Sequence, residues 1–485
     1  MDKNDDLKKG QNVSALSRRD FLTQSAGVLG AAYAPASAAS GASPLMSTSA
    51  PRPNIVFLMG DGVRPDEVGG GNKLIQTPNI DRIAREGASF SNSFAINALC
   101  APSRATVLTG LYSCRHGVID NKHQLVPGIP ILSDFLRKAG YEVAFCGKSH
   151  QTEALRNYYW DYYYGYRNEQ PYYGASIAEG FHGKVGEDKI IEEYADDAIT
   201  KHAVGWLQER GEKPFCLFLW LKAPHHPYLP PRSLELKLDD GAIVPKPSTF
   251  DEDLKGYPGK PRAFADCRLR LNLDEHHVGM MEALVKAHYA STMGLDDNVG
   301  RVLRVLEEKG KLDDTAVIFG SDHGYFLGEW HFVDKRLMHE PSIRTPLFIR
   351  YPRLAKAGAV SQKMVLNLDL APTILELAGL EVPESMQGRS LLPLLQGKEP
   401  SSEWRKDWFY AYYESPSTTP RNRGVRSDRY KLIEYWEQSP PEYELYDLQQ
   451  DPDETHNLYG DSAYSSLQQY LLQRLQELRR ETGEM

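Results

Sequence analysis

Asn54-Ile55-Val56-Phe57-Leu58-Met59 is an unbroken apolar run, closed by Gly60-Asp61-Gly62. A strand with one wet face alternates apolar and polar residues, so a continuous run predicts a strand covered on both faces. Working outward, similar runs recur at Glu142–Cys146, Phe215–Trp220, Ala316–Phe319 and Leu347–Arg350. Helical periodicity fills the intervals at Thr77–Gly87, Pro130–Ala139, Ala195–Arg210 and Met281–Lys309. Strands alternating with helices predict an α/β fold, with a large, doubly wound, mostly parallel sheet flanked by helices. Leu392–Trp404, containing Gly397 and Pro400, reads as a linker. Beyond it, Trp408–Tyr413, Gly424–Tyr435, Tyr443–Leu448 and the amphipathic Ser462–Glu477 predict a small antiparallel sheet packed by a terminal helix. The expected division is a large α/β region at 54–395 and a C-terminal α+β region at 396–485.

The 485 residues, 25% charged and 41% hydrophobic, have a globular composition, and a net charge of −9 disfavours a general nucleic-acid binder. Cys100, Cys114, Cys146, Cys216 and Cys267 are odd in number and never paired as CxxC, which argues against a disulfide scaffold or a zinc ribbon. Ser17-Arg18-Arg19-Asp20-Phe21-Leu22 opens a weakly apolar stretch that ends in Ala34-Pro35-Ala36-Ser37-Ala38. This resembles a bacterial twin-arginine export signal over residues 1–39, followed by a flexible lead-in at 40–53. It implies the twin-arginine translocase as a partner, and a periplasmic or secreted product without a permanent membrane span.

In an open parallel sheet, ligands bind beyond the carboxyl ends of the strands. The residues just past the predicted strands are Gly60-Asp61-Gly62, Gly147-Lys148-Ser149-His150, Pro224-His225-His226 and Ser321-Asp322-His323-Gly324. Any one of these is an ordinary turn, but together they deliver Asp, Lys and His to one sheet edge. A further element, Leu99-Cys100-Ala101-Pro102-Ser103-Arg104 running to Gly110, predicts a helix with Pro102 in its first turn and Cys100 at its N-terminus. Orphan N–H groups and the helix dipole there favour an anion.

Cys100-Ala101-Pro102-Ser103-Arg104 with Leu108-Thr109-Gly110 resembles the motif of the type I, formylglycine-dependent sulfatases of the alkaline phosphatase superfamily. The resemblance runs from Asn54 to about Leu458, taking in Lys148-x-His150, Pro224-His225-x-Pro227, Ser321-Asp322-His323-Gly324 and Asp334-Lys335. Gln76–Asp81, Tyr325–Glu329, Asn367–Pro372 and Gly388–Pro393 resemble the bacterial branch of N-acetylglucosamine-6-sulfatases and related glycan sulfatases.

The resemblance implies hydrolysis of sulfate monoesters of a small molecule or saccharide. Cys100, oxidised to 3-oxoalanine by a formylglycine-generating enzyme, would be the nucleophile. As a hydrate it would use one hydroxyl to attack sulfur and the other to expel sulfate. Asp61, Cys100, Asp322 and His323 are implied to hold a divalent metal, Ca²⁺ first, with Mn²⁺ open because imidazole is an unusual partner for calcium. Arg104, Lys148, His225 and Lys335 are the implied sulfate contacts; His225 and Lys335 would protonate the leaving oxygen and His150 would assist release. His226 is the rival of His225, whereas His116, His123, His288 and His339 read as structural or solvated. Many relatives carry a second Asp where this chain has Gly62, and Asp66 is a candidate replacement.

Two stretches are open to a glycan role. Tyr158, Tyr159, Trp160, Tyr162, Tyr163, Tyr164, Tyr166, Tyr172 and Tyr173 suit sugar stacking, or equally a packed excursion over the core. Arg421, Arg423 and Arg426 suit an acidic glycan or, more simply, a solvated edge strand. Two alternative functions also stand at this level: a phosphonate monoester or phosphodiester hydrolase on the same scaffold, and an inactive glycan-binding protein.

Overall fold

The computed structural model describes residues 52–166, 168–234, 243–252, 254, 257, 278–398, 404–415, 417 and 419–485. The export segment, Cys267 and residues 399–403 of the linker lie outside them. Asn54–Gly60 forms the centre of a ten-stranded sheet, pairing in parallel with Phe215–Trp220 on one side and Thr315–Ser321 on the other. Glu142–Gly147 and Tyr162–Tyr166 continue the parallel block beyond Phe215–Trp220. Leu347–Arg350 runs antiparallel to Thr315–Ser321, with Ala88–Phe90 and Ala359–Ser361 beyond it, and the antiparallel pairs of Ala175–Phe181 and Lys184–Ile191 complete the other flank.

The continuous apolar run is explained by its surroundings. Ile55, Phe57 and Met59 face one core layer with Phe145, Phe218 and Trp220. Val56 and Leu58 face the opposite layer with Leu217, Leu219 and Phe319, under the helices Ala195–Gln208 and Val278–Glu308. Both faces of this strand are therefore dry, and its polar residues are displaced to its end.

The aromatic stretch resolves largely as packing. Tyr162, Tyr163, Tyr164 and Tyr166 belong to a sheet strand, and they are buried together with Trp160 and Tyr172. Tyr163 stacks on Phe145, and Tyr172 on Tyr194. Only Tyr158, Tyr159 and Tyr173 of that stretch are half-buried. Part of the expected linker is a short helix, Leu392–Leu395.

The C-terminal strands Asp407–Tyr412, Asn422–Ser427, Tyr430–Tyr435 and Glu442–Asp447 form a four-stranded antiparallel meander, covered by the helix Ser465–Thr482. Arg423 and Arg426 lie on its second strand, not on an edge. Arg423 pairs with Glu434 and Glu484, Arg426 with Glu340, and Arg421 with Glu437, so acidic side chains already engage all three. The meander is joined to the larger sheet's loops: Ala411 N–H donates to Ile96 O at 3.2 Å and Tyr410 Oη to Arg336 O at 2.7 Å. Among the described residues no helix is long and apolar enough to cross a membrane.

His116 is wholly buried; Val118 N–H donates to its Nδ1 at 3.1 Å, which leaves Nε2–H for Thr106 Oγ1 at 3.1 Å. Burial pushes this imidazole down to about 3. The folded state then binds fewer protons than the unfolded chain between pH ~6.5 and ~3, so stability should fall as pH drops through that window. At pH 4 the loss amounts to about 3 kcal/mol. His116→Gln should flatten the acid limb of the denaturation midpoint plotted against pH; an unchanged limb would exclude His116 as its cause.

Candidate active site

Cys100–Thr109 is a helix buried along its entire length, which is why it shows no amphipathic stripe. Pro102 falls among the first residues, whose N–H groups have no helical acceptor, and Gly110 closes the helix in the left-handed region at φ 68°. This presents Cys100 to the ends of the two central strands. One donor atom each from Asp61, Cys100, Asp322 and His323 lies within 4.8 Å of the others, and all four residues are buried. Cys100 Sγ is 3.5 Å from Asp61 Oδ1 and 3.3 Å from His323 Nε2. His323 Nδ1 faces Gly324 O at 2.8 Å, so Nδ1–H donates there and the Nε2 lone pair points into the cluster. Two enclosed carboxylates, an imidazole lone pair and the residue at position 100 fit a divalent cation.

Arg104 sits behind this cluster rather than in front of it. Its guanidinium has no exposed surface and donates to Asp322 Oδ2 at 2.9 Å, to Asp61 Oδ2 at 3.0 Å and to Lys148 O. The expected sulfate contact is thus a brace for the two carboxylates. Burial and the neighbouring Cys100 push the Asp61 carboxyl up, but Lys148, His225 and Arg104 outweigh them and hold it well below the usual range. Asp322 responds differently: burial and the Asp61 charge raise it, and Arg104 offsets only part of that rise.

Lys148 Nζ reaches Asp61 Oδ2 at 2.7 Å from the end of Glu142–Gly147. Burial opposes a thiolate at Cys100, yet Lys335, Lys148 and His323 draw its pKa well below the ordinary thiol value. Lys335 is almost fully buried, with its ammonium 5.5 Å from the centre of the Tyr325 ring. His225 directs Nδ1 at His226 O (2.7 Å), leaving Nε2 available, and burial together with Lys148 and Lys335 lowers its pKa. His226 is exposed. The sheet edge therefore gathers Asp61, Cys100, Arg104, Lys148, His150, His225, Asp322, His323 and Lys335 about one point.

Three further histidines lie in other environments. His288 Nε2 meets Glu67 at 2.8 Å and His339 Nε2 meets Glu444 at 2.9 Å, both fully buried, while His123 is exposed on Asp120. Asp66 does not join the cluster: its exposed carboxylate is held by Arg64 at 2.8 Å. Gly62 has φ +82°, and a Cβ there would stand 2.9 Å from the Tyr325 ring.

Two residues escape sequence reasoning. Glu169 lies 2.7 Å from Lys148, 3.1 Å from His150 and 2.6 Å from Lys222. It sits in an irregular loop with no motif around it; the nearest signal for Lys222 is its place just before Pro224-His225.

A family model described as Sulfatase matches residues 53–380, and one described as N-sulphoglucosamine sulphohydrolase, C-terminal, matches residues 328–481. The chain is 34% identical to N-acetylglucosamine-6-O-sulfatase of Bacteroides thetaiotaomicron, covering 89% of this chain and 87% of the relative. It is 29% identical to a multifunctional alkaline phosphatase superfamily protein of Trinickia caryophylli, over 86% and 93% of the two chains. A solved structure of a protein in complex with its substrate D-glucosamine-2-N,6-O-disulfate superposes with a TM-score of 0.80 at 32% identity, covering 90% of this chain and 99% of the other.

The geometry at Gly62 bears directly on the second Asp that the resemblance leads one to expect there. Gly62→Asp should lower thermal stability by about 1–3 kcal/mol, through left-handed strain and contact with Tyr325, and should not tighten metal binding. Thermal denaturation with and without Ca²⁺, and metal content after dialysis, would check this. A stable variant with higher metal affinity would contradict it.

Proposed function

Because this chain belongs to the sulfatase family and is a sulfuric ester hydrolase, we propose that its substrate is a sulfated saccharide carrying a 6-O-sulfate on a glucosamine-type residue. The matches to glucosamine sulfatases at both ends of the chain support this reading, and they do not favour the phosphorus-ester or binding-only alternatives. The observation that carries the chemistry is the convergence of Asp61, Cys100, Asp322 and His323 within 4.8 Å, at the N-terminus of a buried helix.

Asp61, Asp322, His323 and the residue at position 100 would hold the divalent ion that the family implies. Our choice is Ca²⁺, which would polarise the sulfate oxygens when bound. Conversion of Cys100 to formylglycine would supply a hydrated aldehyde with two hydroxyls, one for attack and one for release. The chain's own residues do the rest. Arg104 braces the two carboxylates and aims them at one point. Lys148 and Lys335 place positive charge against the ester anion. With Nδ1–H committed to a backbone carbonyl, His225 would act in its imidazolium form, whose Nε2–H is the proton given to the departing sugar oxygen. His150 stands close enough to Cys100 to feel its charge, and we assign it the proton transfer at that position. The catalytic unit is taken as 54–395 and the C-terminal unit as 396–485. The Arg18-Arg19 signal supports export by the twin-arginine translocase to the periplasm or beyond, after a formylglycine-generating enzyme has acted on Cys100.

Mass analysis of the peptide spanning Cys100, followed by a panel of position-specific sugar sulfates, would test the proposal. The 6-O-sulfated glucosamine should be the best substrate, and faster turnover of phosphonate monoesters would overturn the assignment. Cys100→Ala should abolish turnover while leaving the denaturation midpoint close to the parent's. His225→Ala should slow sugar sulfates by about 10²-fold or more. The same variant should slow an activated aryl sulfate far less, because that leaving group needs no proton; equal losses on both would remove His225 from the acid role.

A further inference from the structure

Lys148, His150 and His225, which the proposed function assigns to the sulfate ester and its reaction, stand with Lys222 around one position, and a side chain of the protein already stands there. Glu169 Oε2 lies 2.7 Å from Lys148 Nζ and 3.1 Å from His150 Nε2. Its other oxygen, Oε1, lies 2.6 Å from Lys222 Nζ and 3.7 Å from His225 Nδ1. One carboxylate thus spans two Lys/His pairs, contacting three of the side chains assigned above to the reaction. Asp61 also touches Lys148, but it is fully enclosed and fixed by Arg104, whereas the Glu169 side chain is 40% exposed.

The loop that carries Glu169 connects Tyr162–Tyr166 to Ala175–Phe181 and is tied to the His225 turn on its far side. There Tyr172 Oη donates to His225 O at 2.8 Å, and Lys222 Nζ donates to Gln170 O. The backbone is held near the site while the carboxylate remains open to water. Burial works against the charge of Glu169, but Lys148, His225, His150 and Lys222 overcome it and keep the group ionised.

We infer that Glu169 is an internal stand-in for the sulfate anion: it occupies the cationic cradle of the resting enzyme and is displaced outward by the substrate's sulfate. It is a specificity-determining residue, because every anion must compete with it. A free inorganic sulfate brings only its charge and competes poorly, whereas a sugar sulfate adds the contacts of its ring. The cradle therefore does not retain its own product. This inference rests on the proposed reading of the cradle as the sulfate site.

The test is calorimetric titration of inorganic sulfate into the full chain, which requires no turnover. Glu169→Gln removes the competing charge and should tighten sulfate binding by at least ~10-fold, since charges a few ångströms apart near a protein surface interact by several kcal/mol and exposure discounts part of that. Inhibition by product sulfate should strengthen in parallel. Glu169→Asp, one methylene shorter and still charged, should tighten binding by a smaller factor; it carries the test if the glutamine variant does not fold. Unchanged or weaker sulfate binding in these variants would overturn the inference and leave Glu169 as a brace for the lysines. Lys148→Ala separates the two levels of argument. It should abolish sulfate binding with or without Glu169, and undiminished binding would instead remove the cradle reading itself.

Discussion

Asp61 and Asp322 stand at the ends of adjacent parallel strands, both wholly excluded from water, with Arg104 bridging them at 3.0 and 2.9 Å. Two like charges in such a place repel each other and lose their hydration, so the arrangement persists only with a counter-charge built between them. A planar guanidinium supplies it, because its fork can meet two carboxylates at once where an ammonium would act as a single point. The same helix that delivers Arg104 delivers Cys100 one turn earlier. The brace and the reactive position are therefore set by one rigid element, and a shift in either would disturb both.

Legibility in the sequence followed the dryness of the elements. Strands covered on both faces announce themselves as unbroken apolar runs, and Phe215–Trp220 and Leu347–Arg350 coincide with their predicted limits. Chemistry at their carboxyl ends was visible because polar residues stand out against such a background. The direction in which a side chain points was not visible. Arg104 reads as a cation available to substrate, yet three-dimensional packing turns it inward onto the carboxylates. Glu169 lies in a loop without pattern, and its significance comes from contacts with residues far away in the chain or on other strands. Gly62 reads as a lost metal ligand; the backbone adds that the position is left-handed and that a Cβ there would crowd Tyr325.

The tyrosine-rich stretch takes the packed one of its two readings: a composition suited to sugar binding serves the interior. Strand pairing places Tyr162 to Tyr166 between two covered faces, where rings fill volume and hydroxyls find polar partners such as Glu179 and Asp196. The C-terminal arginines follow the same logic. Glu340, Arg426, Lys431 and Glu454 form a nearly dry network that ties the meander to the loop after Lys335. Positive charge that looks available on paper is consumed in assembling the fold.

Cys100 has no accessible surface, and the chain entering its helix is pinned from above, Ala411 bonding Ile96 and Tyr410 bonding Ala98. Those clasps come from a part of the polypeptide made some three hundred residues later. A large partner could therefore touch the sulfur of Cys100 only in a chain whose distal meander is not yet docked.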